Sequence, residues 1–295
     1  MKIVDISYLI GCGKYIYDKM TEKENSVDRS WEYCHSAFLK IKNKYNDPKT
    51  DMSDEEKDFL CLCLGWYLAS WGMLRNSFLN KYSHKIHWNV IDVIYDERWD
   101  DLWDVDYRTL TADQAKRIVT LSDELEEIYK SQHDFEKDDY RLTDTLKTKI
   151  LLGTIACVPA YDQFFVCAIR HSLEQSKLSE KSILKIKKVY TNYISEFSAM
   201  KSYCGQGNYP PAKLLDMCFF EYGVRLSKIE KATKEVIKMH GFNSRNREGR
   251  DMTNLICLYV VHKRDTHNIQ VLADLYNANS ELCDSMQREV MQRLI

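Results

Sequence analysis

Residues 143–170 read TDTLKTKILLGTIACVPAYDQFFVCAIR, and their reading decides the fold. Apolar residues run at helical spacing on both sides of Val158-Pro159, so the stretch predicts a helix, a sharp break and a second helix. Proline suits the first position of a helix, where its missing N–H would be unpaired in any case, and Pro159 is expected to open the second helix. That places Asp162 in the first turn, against the positive end of the helix dipole, which favours an ionised carboxylate. Asp162 is also the sole acid between Thr145 and Leu173. Two readings of it stay open here. It caps the free N–H groups of a helix start, or it is a positioned catalytic carboxylate.

The rest of the chain is patterned in the same way. Ten glycines and four prolines in 295 residues leave little room for tight turns, so an all-α, multi-helix globular fold is expected. The 44% apolar and 29% charged fractions belong to a chain that can bury a sizeable core. Residues 1–27 read as irregular, and a helix follows from Asp28 or Ser30 to about Tyr45. Ser53 with Glu56 forms a capping-box pattern, opening a long apolar helix that runs to about Leu79. A short helix near 85–95 precedes a loop, and Thr111 and Thr143 each stand at a helix start. Residues 181–199 read as one helix with a basic face of Lys181, Lys185, Lys187 and Lys188. A Gly–Pro loop from Gly205 to Pro211 feeds a helix with Lys213 and Asp216 just inside it, and 241–250 reads as a basic loop. Three parts are expected: 1–110, an N-terminal helical subdomain with a candidate pocket helix; 111–240, a catalytic core around the Pro159–Asp162 turn; and 241–295, a C-terminal segment packed on that core.

A net charge of −2 gives no global basic field, although a local basic groove remains open. No apolar run approaches the roughly eighteen residues of a membrane span. The start, MKIVDISYLIGCGKYIYDKM, does not read as a signal peptide, because Asp5 interrupts a short apolar run. The ten cysteines mostly fall inside apolar helical patterns, and a reduced, cytoplasmic protein is expected. No CxxC occurs, Cys61-Leu-Cys63 has the wrong spacing for zinc, and His84 and His87 lack a spaced third ligand. Neither metal nor cofactor is expected.

Small residues alternate with aromatics around Trp71, and Arg75 and Asn76 stand where an apolar face would normally continue. This pattern reads as close helix packing with Arg75 reaching the surface, or as the wall of a pocket that stacks a planar ligand. The loop before Lys213 and the arginines Arg245, Arg247 and Arg250 are candidate phosphate contacts.

The run from Lys149 through Gly153, Val158-Pro159 and Tyr161 to Asp162 resembles helix-hairpin-helix DNA glycosylases and their distant bacterial relatives. LASWGM at 68–73 and YPPAKLLD at 209–216 extend the likeness toward an anti-phage type that removes glucosylated hydroxymethylcytosine from modified phage DNA. The glycine-rich turn of that family is not present ahead of Asp162, where the nearest glycine is Gly153. The resemblance implies a cleft between two helical subdomains, double-stranded DNA as partner, and a flipped base in a pocket. It implies Asp162 as the catalytic carboxylate, Trp71, Arg75, Asn76, Tyr161 and Tyr209 around the base, and Lys147, Lys149, Lys213, Arg245, Arg247 and Arg250 on DNA. A monofunctional enzyme that leaves an abasic site is expected. The rivals are a non-catalytic helical nucleic-acid-binding or anti-phage effector and, more distantly, an RNA-cutting toxin.

Overall fold

The computed structural model describes residues 5–24, 26–45, 48–75, 77–132, 142–204, 209–243, 245–262 and 280–294. Among the described residues there are helices and no strands, as the glycine and proline content predicts. The α-helices are α1 Ile6–Thr21, α2 Ser30–Lys44, α3 Pro48–Asp51, α4 Asp54–Ser70, α5 Trp88–Ile94, α6 Ala112–Ser131, α7 Asp144–Gly153, α8 Gln163–Leu173, α9 Glu180–Asn192, α10 Ile194–Tyr203, α11 Pro211–Met239, α12 Arg247–His262 and α13 Ser280–Leu294. No described helix is long and apolar enough to cross a membrane.

The chain forms two compact units that are not contiguous in sequence. The first comprises Ile10–Asp162 and Lys177–Cys218; the second comprises Met1–Leu9, Gln163–Ser176 and Phe219–Ile295. In the first unit α4 is the central helix, packed by α2, α5 and α7, while α6 packs on α5, α7 and α9. Its interior is aromatic as well as aliphatic, with Trp31, Phe38, Tyr67, Tyr95, Tyr107 and Tyr129 buried. In the second unit α12 packs on α13. A core of Ile229, Val236, Ile237, Met252, Leu255, Ile256, Met286 and Val290 is closed by Phe242.

Several helix starts follow from their caps. Ser53 and Glu56 form the reciprocal capping box, Thr111 does the same with Gln114, and Thr143 accepts the Leu146 N–H. Each such cap is worth about 1 kcal/mol.

Other boundaries differ from the expectation, for tertiary reasons. Residues 1–27 are not irregular, because α1 occupies most of them. Gly13, which weakens that helix in isolation, is required by packing: a Cβ there would lie 2.4 Å from Met200 Cε and 2.6 Å from Cys218 Sγ. The helix opened by Ser53 stops at Ser70 rather than Leu79. Gly72 adopts φ +74° just beyond it, and Met73 N–H donates back to Leu68 O at 2.9 Å. The basic segment 181–199 lies in two helices rather than one, α9 and α10, which meet at Tyr193. Only the first part of 241–250 is loop, since Arg247 and Arg250 belong to α12.

Candidate functional site

The break at Val158-Pro159 is real, but Pro159 does not open α8. That helix begins at Gln163, so Asp162 is the residue directly ahead of it and not part of its first turn. The reason lies in the partners of the intervening backbone. Ala160 N–H donates to Asp216 Oδ1 at 3.1 Å, and Tyr161 N–H donates to the Thr148 hydroxyl at 2.7 Å. Thr145 Oγ1 in turn donates to Tyr161 O at 2.9 Å. These donors are engaged before a helix can use them, and one face of α7 straps the segment in place.

The turn also solves a steric problem without glycine. Ala156 takes the left-handed conformation at φ +51°, and its N–H donates to Leu151 O at 2.8 Å to finish α7. Here the buried Ala156 holds a conformation that glycine adopts more readily, at a cost of about 1 kcal/mol.

Within the first unit this strapping gathers four buried charges. Lys149 Nζ lies 3.4 Å from Asp162 Oδ2, and Lys213 Nζ lies 3.2 Å from Asp216 Oδ2. The indole of Trp71 adjoins both ammonium groups, at 4.9 Å for Lys149 and 5.7 Å for Lys213. Trp31 supports Lys213 from α2, at 5.2 Å, and is itself fixed by donating to Leu152 O at 2.8 Å. Tyr67 rises from α4 beneath the set. Burial, and then the charges of Asp216, Cys34 and Asp162, push its phenol well above the ordinary value. Gly153 is needed there, because a Cβ would meet the Tyr67 ring at 2.4 Å.

A second aromatic layer continues from Trp31. His35 stacks on it at 5.0 Å, with Nδ1 2.7 Å from Thr154 O and Nε2 3.1 Å from Asp104 Oδ1. Tyr209 packs on Trp31 at 5.5 Å, and its hydroxyl donates to Glu32. A cavity of about 410 Å³ lies at the start of α11 and is lined by Asp104, Arg108, Tyr190, Lys201, Pro210 and Pro211 among others.

Of the residues singled out in the sequence, Asp162, Trp71, Lys149 and Lys213 converge, and Tyr209 joins them through Trp31. Tyr161, the residue before Asp162, turns into the interior instead, where its hydroxyl pairs with Ser182 Oγ at 2.7 Å. Lys147, two residues from Lys149, points the other way on α7. Its Nζ lies among Asp123, Glu126 and Asp144 at 3.2, 3.3 and 3.7 Å. Burial alone would depress that ammonium, but the bonds to Asp123 and Glu126 raise it on balance. Arg75 is exposed in the turn after α4. Arg245, Arg247 and Arg250 are exposed in the second unit; Arg250 donates to Arg245 O and Arg247 approaches Asp251. Asn76 lies outside the described residues.

Asp216, Trp31, Tyr67 and His35 are the members of this region that sequence reasoning did not pick out as functional. The one available signal was Lys213-x-x-Asp216, a same-face pair at the start of a helix after a Pro-Pro turn. Trp31 read only as an apolar position of α2, and Tyr67 only as one of the aromatics alternating with small residues around Trp71. Comparison with known proteins returns no match to a family model, a curated protein or a solved structure.

Proposed function

We propose that the first unit carries the catalytic site of a DNA N-glycosylase, with Asp162 as its carboxylate. The observation behind this reading is the pairing of Asp162 with Lys149 and Asp216 with Lys213 around Trp71. Buried ion pairs contribute little net stability, and apolar residues of equal volume often serve the fold better. Two such pairs kept together, with all four residues under 10% exposed, are better explained by use than by packing.

The chemistry follows from the charges. Breaking a C1′–N bond builds positive charge on the sugar, and an anionic carboxylate beside C1′ stabilises it and orients water. Lys149 Nζ lies 3.4 Å from Asp162 Oδ2 and holds the carboxylate in place. Asp216 holds the Ala160 N–H and so fixes the segment that carries Asp162. Trp71 offers a ring against which an extruded base stacks. A cytosine bearing glucose is the substrate that the resemblance implies, and hydrolysis without a lyase step is the expected outcome.

The deciding assay incubates the protein with glucosylated, hydroxymethylated and unmodified duplex DNA and counts abasic sites. Base release is expected, and Asp162→Asn is expected to abolish it while DNA binding survives. Release at the wild-type rate by a folded Asp162→Asn variant overturns the assignment. Borohydride trapping of a protein–DNA adduct would show Lys149 acting as a nucleophile and replace the monofunctional reading. DNA binding without abasic sites on any substrate would favour the non-catalytic effector.

A further inference from the structure

A separate set of donors lies in the second unit. Cys167 and His171 are four residues apart on α8, hence on one face, and Glu230 faces them from α11. His171 Nε2 lies 3.3 Å from Glu230 Oε2, and Cys167 Sγ lies 3.6 Å from the same oxygen. All three donor atoms fall within 4.8 Å of one another.

The two separations from Glu230 Oε2 fit a tetrahedral ion. With Zn–N and Zn–O near 2.0–2.2 Å and Zn–S near 2.3 Å, tetrahedral angles put N and O about 3.3 Å apart and S and O about 3.6 Å apart. We propose that Cys167, His171 and Glu230 bind a divalent transition metal of zinc type, with a fourth position left for a water or an anion. The donor set is mixed sulfur, nitrogen and oxygen, which suits zinc or cobalt and does not suit magnesium or calcium.

The surroundings are consistent with this. Lys234 donates to the other oxygen, Oε1, and can hold the carboxylate in place from behind, as outer partners of metal ligands do. Arg170 is the competitor: its Nη2 lies 2.8 Å from Oε2, the oxygen the metal needs. Arg170 is half exposed and can swing away. Entry is open, because cavities of about 360 and 260 Å³ flank the site, the first lined by Cys167 and Glu230 and the second by His171 and Glu230. The inference does not depend on the glycosylase reading, which concerns residues of the first unit.

The test titrates the full-length, metal-free protein with Co²⁺ alone and follows its absorption, then displaces it with Zn²⁺. One equivalent should bind, giving the intense visible bands of tetrahedral cobalt and a charge-transfer band of one thiolate. Cys167→Ser should remove the charge-transfer band, and Glu230→Gln should weaken binding about tenfold or more. Cys63→Ser, at a cysteine of the first unit, should change nothing. Arg170→Gln should tighten binding about tenfold by removing the competing cation. That gain cannot come from a damaged fold, so the variant keeps the idea testable even if Cys167→Ser misfolds. No cobalt spectrum with the wild-type protein, or one that persists in folded Cys167→Ser, overturns the proposal. So does an Arg170→Gln variant that binds no more tightly.

Discussion

The two charged clusters of the molecule solve the same problem differently. In the first unit Lys149, Lys213, Asp162 and Asp216 match one cation to one anion, and all four are buried. In the second unit Glu230 alone receives His171, Arg170 and Lys234, and two of those partners are half exposed. The His171 bond, with Lys234 and Arg170, holds the Glu230 carboxyl well below the usual carboxylate range. One cluster is balanced, so losing any member leaves a buried charge. The other has cations to spare, so it can release one and accept something else. The first suits fixed positioning; the second suits exchange.

The sharpest way to break this comparison is to remove one lysine from each. Lys213→Met removes the cation paired with Asp216 inside the protein and should cost about 3–5 kcal/mol in urea unfolding. Adding Asp216→Leu should recover much of that loss, since the unpaired charge is then gone. A small effect of Lys213→Met alone would mean that water reaches the cluster freely.

Acid should separate the units next. His87 is buried against the Tyr129 hydroxyl at 2.6 Å, and burial, then the nearby His84, lowers its pKa from an ordinary 6.5 to about 3. A depressed histidine stays neutral in the folded state while the unfolded chain takes up a proton. Stability is therefore complete above pH 6.5 and is lost as pH falls toward 3. Between pH 6.5 and 5 the loss is at most about 2 kcal/mol. Over that window the Glu230 carboxylate remains ionised, so hydrogen exchange should rise in the first unit before the second. His87→Asn should flatten the slope; an unchanged slope would place the acid sensitivity elsewhere.

A smaller effect, of opposite sign, is expected at the turn ahead of Asp162. Ala156→Gly relieves the left-handed strain but loosens the unfolded chain, for a net gain of about 0–1 kcal/mol by thermal unfolding. A clear loss would mean that the Ala156 methyl packs more than it strains. Smallest of all, Lys234→Met should cost about 0–1 kcal/mol, because Glu230 keeps His171 and Arg170 and the lysine is half exposed.

The sequence revealed what is local and concealed what is distant. Ser53 with Glu56, and Thr143 ahead of an apolar run, carry their helix starts within four residues. Asp162 stood out as a lone acid in an apolar stretch and Trp71 as an aromatic among small residues, while Lys213 was marked by the Gly–Pro loop before it and Lys149 by the resemblance. The boundary at Pro159 was misjudged because the Ala160 N–H belongs to Asp216, 56 residues away. No window around the proline contains that partner. Likewise α1 was unreadable because Gly13 lowers helix propensity locally while packing against Met200 and Cys218 restores it. Cys167 and His171 were not singled out, because their third partner, Glu230, comes from another helix.

The balance of the first cluster has one more consequence. Two positive and two negative charges sum to nothing, and at distances beyond about a Debye length, ~8 Å at physiological salt, they present no monopole to a passing polyanion. On the proposed glycosylase reading, recruitment and reaction are thereby uncoupled. Any long-range attraction must come from exposed cations such as Arg245 and Arg247, and it should fade as salt is added. Events at Asp162, once a ligand has arrived, should proceed at a rate to which ionic strength is nearly irrelevant.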